Sequence, residues 1–165
     1  MSIVEVATPN LTFEANGLYI LLSDRGDKSY TSHWSLYLHQ SPTSDTIYHL
    51  LNDTDPTIWR FEHLPDQTVL NDQTLLGALK IEMMDPILHA HFLERLRQIP
   101  IVDSVRFRER ITCRVWLKEA LFALDDEGYI MLTRSVDDIE ADARDLALWS
   151  KSLRRTVVRS CGSQT

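Results

Sequence analysis

The stretch HWSLYLHQSPTSDTIYHLL, residues 33–51, holds two short runs rich in Trp, Tyr, Leu and Ile on either side of a Gln-Ser-Pro-Thr-Ser connection. Runs of this length, bounded by Ser, Pro, Thr and Asp, have the pattern of paired β-strands. The reading therefore predicts strands at residues 33–39 and 46–51. Working outward, residues 18–23 and 57–63 repeat the pattern, so the first half reads as an antiparallel meander. Asp53-Thr54-Asp55-Pro56-Thr57 has the D-x-D-x-T spacing of phosphoryl-transferring aspartates, but its Asn-Asp-Thr-Asp-Pro character is that of a turn between strands. Residues 74–82 are apolar without a clean period and fit a strand or a helix.

From Pro86 the period lengthens. Ile87, Leu88, His91, Phe92 and Leu96 fall at helical spacing between Pro86, suited to a first helical position, and Pro100. After a loop at residues 103–110, Thr112 is an N-cap for a helix whose apolar stripe carries Trp116, Leu117, Ala120, Leu121 and Leu124 and ends at Gly128. Cys113 lies in the first turn of that stripe. A third helix starts at Ser135 with Asp137, Asp138 and Glu140 near its N-terminus and Lys151, Arg154 and Arg155 at its end, matching the helix dipole in both signs. The fold class expected is α+β, an antiparallel meander packed against helices.

The 165 residues suit one domain, expected at residues 1–158 with a frayed tail at residues 159–165. At 44% hydrophobic and 25% charged, the chain has the composition of a globular protein. Seventeen Lys and Arg against 24 Asp and Glu give a net charge of −7, which argues against a nucleic-acid partner. No apolar run is long enough to span a bilayer and Met1-Ser2-Ile3-Val4-Glu5-Val6 has no leader pattern, so no membrane anchor and a cytoplasmic location are expected. Two cysteines, Cys113 and Cys161, do not make a disulfide framework. His89 and His91 diverge on a helix, and no metal or cofactor is expected.

The chemistry centres on Cys113. Unpaired N–H groups and the positive dipole end of a helix stabilise a thiolate, and the same groups can receive an oxyanion. Arg114 adds positive potential. On the strands, His33, Ser35 and Tyr37 share one side while Trp34, Leu36 and Leu38 share the other, and Ile47, His49 and Leu51 point together. Pairing across the hairpin allows His33 and His49 to be neighbours, so a Cys–His–His set is geometrically possible.

His33-Trp34-Ser35-Leu36-Tyr37-Leu38, then Tyr48-His49-Leu50, then Cys113 opening a helix, resembles the permuted papain-like enzymes of the lecithin:retinol acyltransferase and NlpC type. The resemblance spans residues 30–51 and 112–124. It implies acyl transfer or hydrolysis through a thioester, with Cys113 as nucleophile, His33 as general base, His49 as the orienting group and Tyr30 beside the oxyanion. Thr112 stands where the family has Asn, and the hydrophobic C-terminal anchor of its phospholipid-acting members is not expected. Residues 113–117, Asp125 and residues 128–130, with His33-Trp34, are also similar to a group of small fungal proteins of unknown function, which implies a place in secondary metabolism.

Three functions follow as expectations. The first is a thiol-dependent acyl hydrolase or acyltransferase acting on a small-molecule ester, thioester or amide. Its substrate pocket would be walled by Trp34, Trp59 and Trp116, with Tyr37 and Arg114. The arginines at 106, 108, 110 and 114 offer a carboxylate or phosphate site. The second is a biosynthetic cyclase or isomerase that shapes an apolar intermediate without covalent thiol chemistry. The third is a non-catalytic binding domain, homodimeric through its last amphipathic helix.

Overall fold

The computed structural model describes residues 12–25, 32–66, 69 and 72–162. The predicted meander is present as β1 (Gly17–Asp24), β2 (Ser32–Ser41), β3 (Ser44–Asp55) and β4 (Ile58–Pro65), each antiparallel to the next. Asp55 caps the β3–β4 turn by accepting the Thr57 N–H at 2.9 Å and the Thr57 hydroxyl at 2.7 Å. This Asx turn is the local reason that the hairpin closes there. The ambiguous stretch resolves as β5 (Leu75–Met83), antiparallel to β1. Its residues are buried on both faces, Leu79 and Ile81 on one and Leu75 and Ala78 on the other, which is why it shows no alternation.

Among the described residues the sheet has six strands in the order β4-β3-β2-β1-β5-β6 and is mixed, because β6 (Val157–Ser160) runs parallel to β5. Arg159 and Ser160, where the sequence predicts fraying, lie within β6, and the Cys161 N–H donates to the Lys80 carbonyl at 2.8 Å. Backbone pairing orders this segment, and four residues carry no hydrophobic period that would announce it.

The helical half begins with a 3₁₀ turn at Pro86–Leu88, capped by Asp85, and continues into α1 (His89–Arg97). Thr112 caps α2 (Cys113–Asp126), its hydroxyl accepting the Val115 N–H at 3.2 Å. Ser135 caps α3 (Val136–Leu153) through the Asp138 N–H at 3.1 Å. All three helices cover one face of the sheet. Leu18, Ile20 and Leu22 of β1 and Trp34, Leu36 and Leu38 of β2 meet Phe92, Trp116, Leu117 and Leu146 there. The opposite face carries a smaller cluster of Tyr19, Leu21, Tyr37 and Ala78, with Phe13 against it. Among the described residues, no helix is long and apolar enough to cross a membrane.

Gly77 sits where β6 and α3 both close on the sheet. A Cβ there would stand 2.9 Å from the Val157 carbonyl oxygen and 3.1 Å from Leu146 Cγ. Gly77→Ala is therefore expected to lower stability by about 1–3 kcal/mol, as overpacking does. Urea unfolding followed by circular dichroism checks this, and an unchanged midpoint would mean that β6 and α3 yield without cost.

Candidate functional site

β1 ends and β2 begins at the end of the sheet where α2 starts, and a pocket of about 400 Å³ opens there. Arg25, Ser32 and Trp34 line it from the sheet side, Thr112, Cys113 and Arg114 from the start of α2, and Arg144, Ala147 and Leu148 from α3. Cys113 is 2% exposed, with its thiol on the pocket wall. The Arg25 guanidinium donates to Cys113 Sγ at 3.4 Å. An arginine side chain and a helix N-terminus thus meet at one sulfur.

A second polar group lies on the sheet face away from the helices. His33 Nε2 and His49 Nδ1 are 2.9 Å apart, and His49 Nε2 lies 3.2 Å from Glu62 Oε1. Arg60 donates to Glu62 at 2.9 Å and makes a two-pronged pair with Asp53 at 2.9 and 3.1 Å. Arg60 first, and then His49, hold the Glu62 carboxyl below the ordinary carboxylate range. An ionised carboxylate only accepts, so His49 Nε2–H is the donor to it. Burial pushes the His49 pKa down against the pull of Glu62, and the ring is neutral. Its Nδ1 is therefore the acceptor of His33 Nε2–H. Burial, then His49, then the Arg25 charge push the His33 pKa down to about 4. The chain of donors starts at His33 Nε2, and among the described residues no hydrogen bond engages His33 Nδ1.

The structure brings His33 to His49 and leaves Cys113 apart from both. Among the described residues no hydrogen bond joins either ring to Cys113 Sγ. The reason is strand alternation: Trp34 faces α2, so His33 faces away. Arg25 is what relates the two groups, since it donates to Cys113 and its charge acts on His33. Tyr30 lies outside the described residues.

Of the expected pocket residues, Trp34 and Arg114 line the pocket. Trp116 is buried core against Phe61, ring centroids 5.5 Å apart, and Trp59 packs at the edge of that core. Tyr37 is on the opposite face, donating to Asp45 at 2.8 Å and bonded to His39. Arg114 does not offer a free charge, because Glu109 holds it in two bonds of 2.6 and 3.0 Å and Glu140 binds it as well. Arg106 is likewise engaged, stacked on Phe122 and paired with Glu119. Arg106 is thus tied to α2 and Arg114 ties α2 to its neighbours, and the expected anion cluster does not form around these two.

Two site residues escaped the sequence reading. Glu62 was accessible in principle, because a hairpin closed at Asp55 sets it opposite His49. Arg25 was not, because it meets a sulfur 88 residues away. Compared with family models, with curated proteins and with solved structures, the chain matches none of them.

Two outcomes follow from the histidine chain. Nitrogen-15 spectra at neutral pH should show both His33 and His49 as neutral Nε2–H tautomers, and Glu62→Leu should release His49 into a mixture; an Nδ1–H form of His33 would break the order derived above. Stability should fall as the pH drops from 6.5, where an unfolded histidine takes up its proton, to about 4, where native His33 does. The native state binds fewer protons in that window, so its loss there is on the order of 3 kcal/mol. His33→Asn should flatten this slope in urea midpoints measured across the window.

Proposed function

We propose that this protein is a thiol-dependent acyl hydrolase or acyltransferase acting on a small-molecule acyl derivative, of the permuted papain-like type that its sequence resembles. One observation carries the reading: the Cys113 sulfur stands at a helix N-terminus, on a pocket wall, with a guanidinium donating to it at 3.4 Å. Pocket and nucleophile type fit each other, since Trp34, Ala147 and Leu148 provide apolar surface for an acyl chain beside the sulfur.

The reaction runs in two halves. Cys113 gives its thiol proton to solvent, its sulfur attacks the carbonyl carbon, the bond to the leaving group breaks with its electron pair, and an acyl thioester remains on Cys113. Thr112 engages the N–H groups of Val115 and Trp116, and the oxyanion is met by those of Cys113 and Arg114 together with Arg25. Water or an acceptor then adds to the thioester, giving its proton to solvent, and the carbon–sulfur bond breaks to restore the sulfur. His33 neighbours Ser32 and Trp34 of the pocket, and His49 and Glu62 hold its ring.

The near-complete burial of Cys113 and the placement of His33 on the far face favour a second reading, a cyclase or isomerase that shapes an apolar intermediate without covalent thiol chemistry. Alkylation by iodoacetamide, resolved by peptide mass, separates the two. Cys161 is the internal reference: its thiol donates to the Ile81 carbonyl at 3.5 Å, and burial and then Asp142 push its pKa up. In the acyl-transfer reading Cys113 is alkylated ahead of Cys161 at neutral pH, and Arg25→Met slows Cys113 by about tenfold or more while leaving Cys161 unchanged. A Cys113 that stays inert while Cys161 is modified would leave the non-covalent reading.

A further inference from the structure

We infer that the pocket beside Cys113 is an anion site, in which Arg144 selects substrates whose acyl part carries a carboxylate or a phosphate. The inference rests on the acyl-transfer reading above and names its substrate class.

Three guanidinium groups line the pocket, Arg25 from the end of β1, Arg114 from α2 and Arg144 from α3. They differ in how far the protein's own carboxylates satisfy them. Arg114 is engaged by Glu109 through two nitrogens and by Glu140 Oε2 as well. Glu140 Oε1 accepts from Lys118 at 3.1 Å. Both oxygens of Glu140 are therefore taken, and Arg144 Nη2 stands 3.6 Å from Oε2, the weakest of the pairings that this carboxylate makes. The Arg144 side chain is 57% exposed, so its guanidinium can turn to a ligand at the cost of one long contact.

The charge of the surroundings points the same way. In the ion-pair network behind the pocket, Arg114, Lys118 and Arg144 are matched by Glu109, Asp137 and Glu140, and Arg25 adds a further positive charge on the wall. The residues that join Arg25 to Ser32 include one Asp and one Lys and leave this formal sum unchanged. In a chain of net charge −7 the pocket is thus a local reversal of sign, which draws anions to it.

The two arginines act at different places. Arg25 donates to the Cys113 sulfur and so belongs to the reacting end. Arg144 shares one face of α3 with Ala147 and Leu148, and lies one helical turn, about 5.4 Å, before Leu148. An acyl chain resting on Ala147 and Leu148 therefore has a guanidinium within a few carbon atoms along the wall. A planar fork of N–H donors there suits a carboxylate or a phosphate, each of which accepts two of them.

The test uses the full chain. Hexanoate, hexyl phosphate and hexanamide are titrated against nitrogen-15 labelled protein and followed at the Trp34 indole N–H and the backbone N–H groups of Thr112, Cys113 and Arg114. At least one of the two anions should saturate these shifts at a concentration about tenfold or more below that of hexanamide, and Arg144→Gln should close most of the gap. The tighter anion names the group. Equal affinity for hexanamide, or a gap that survives Arg144→Gln, overturns the inference. Acylation of the Cys113 peptide, read by mass, then compares the mono-para-nitrophenyl ester of adipic acid with para-nitrophenyl hexanoate. The adipate ester, whose far end is a carboxylate, should acylate Cys113 faster at low concentration by about tenfold. An acyl-enzyme formed equally well from both overturns the inference and keeps the acyl-transfer reading. Anion binding with no acyl-enzyme from either ester overturns the acyl-transfer reading and keeps the anion site.

Discussion

The alternation of side chains along β2 is the constraint on which the rest of the molecule depends. A strand has two faces, and β2 sits near the middle of the sheet, with β1 and β3 beside it. Trp34, Leu36 and Leu38 go to the helices and seat α2, while His33, Ser35 and Tyr37 go to the other face. A shift of one residue would exchange these sets and put a histidine into the main core, so the register is strongly specified. The same rule separates the thiol from the histidines. Their chemistry can meet only at the strand ends, where β1 delivers Arg25 beside Cys113.

The pose of α2 depends on a second, electrostatic device. Lys118 is 3% exposed and pairs with Asp137 at 3.0 Å, Glu140 at 3.1 Å and Glu109 at 3.5 Å, with Phe107 against its ammonium group. Arg114 joins Glu109 and Glu140 to the same network. Buried ion pairs add little net stability, because desolvation offsets much of their attraction. What they impose is position: each needs its partner, so the loop at residues 103–110 and α3 are held against one face of α2. The N-terminus of α2, and Cys113 with it, is thereby set at the pocket.

The acidic composition and the basic pocket wall are consistent once this network is considered. Of the arginines that the sequence clusters around Cys113, Arg106 and Arg114 have carboxylate or aromatic partners. The cation that acts on the sulfur comes instead from the end of β1. A guanidinium attracts negative charge and keeps its own proton across the physiological range.

Features that depend on neighbours along the chain were legible before any fold was known. The caps at Thr112 and Ser135, the turn at Asp55 and the alternation in β2 were all readable, because each is set by a few adjacent residues. The pairing of His33 with His49 was readable too, since a hairpin converts sequence distance into register. Tertiary structure alone decided the rest. β6 joins the sheet through backbone bonds that leave no hydrophobic period, β5 is apolar on both faces, and Arg25 meets Cys113 across 88 residues. Which face of the sheet received the helices also decided which side chains stand beside the sulfur. That choice follows from the summed burial of Trp34, Leu36, Leu38 and their neighbours in three dimensions, and no local pattern around Cys113 encodes it.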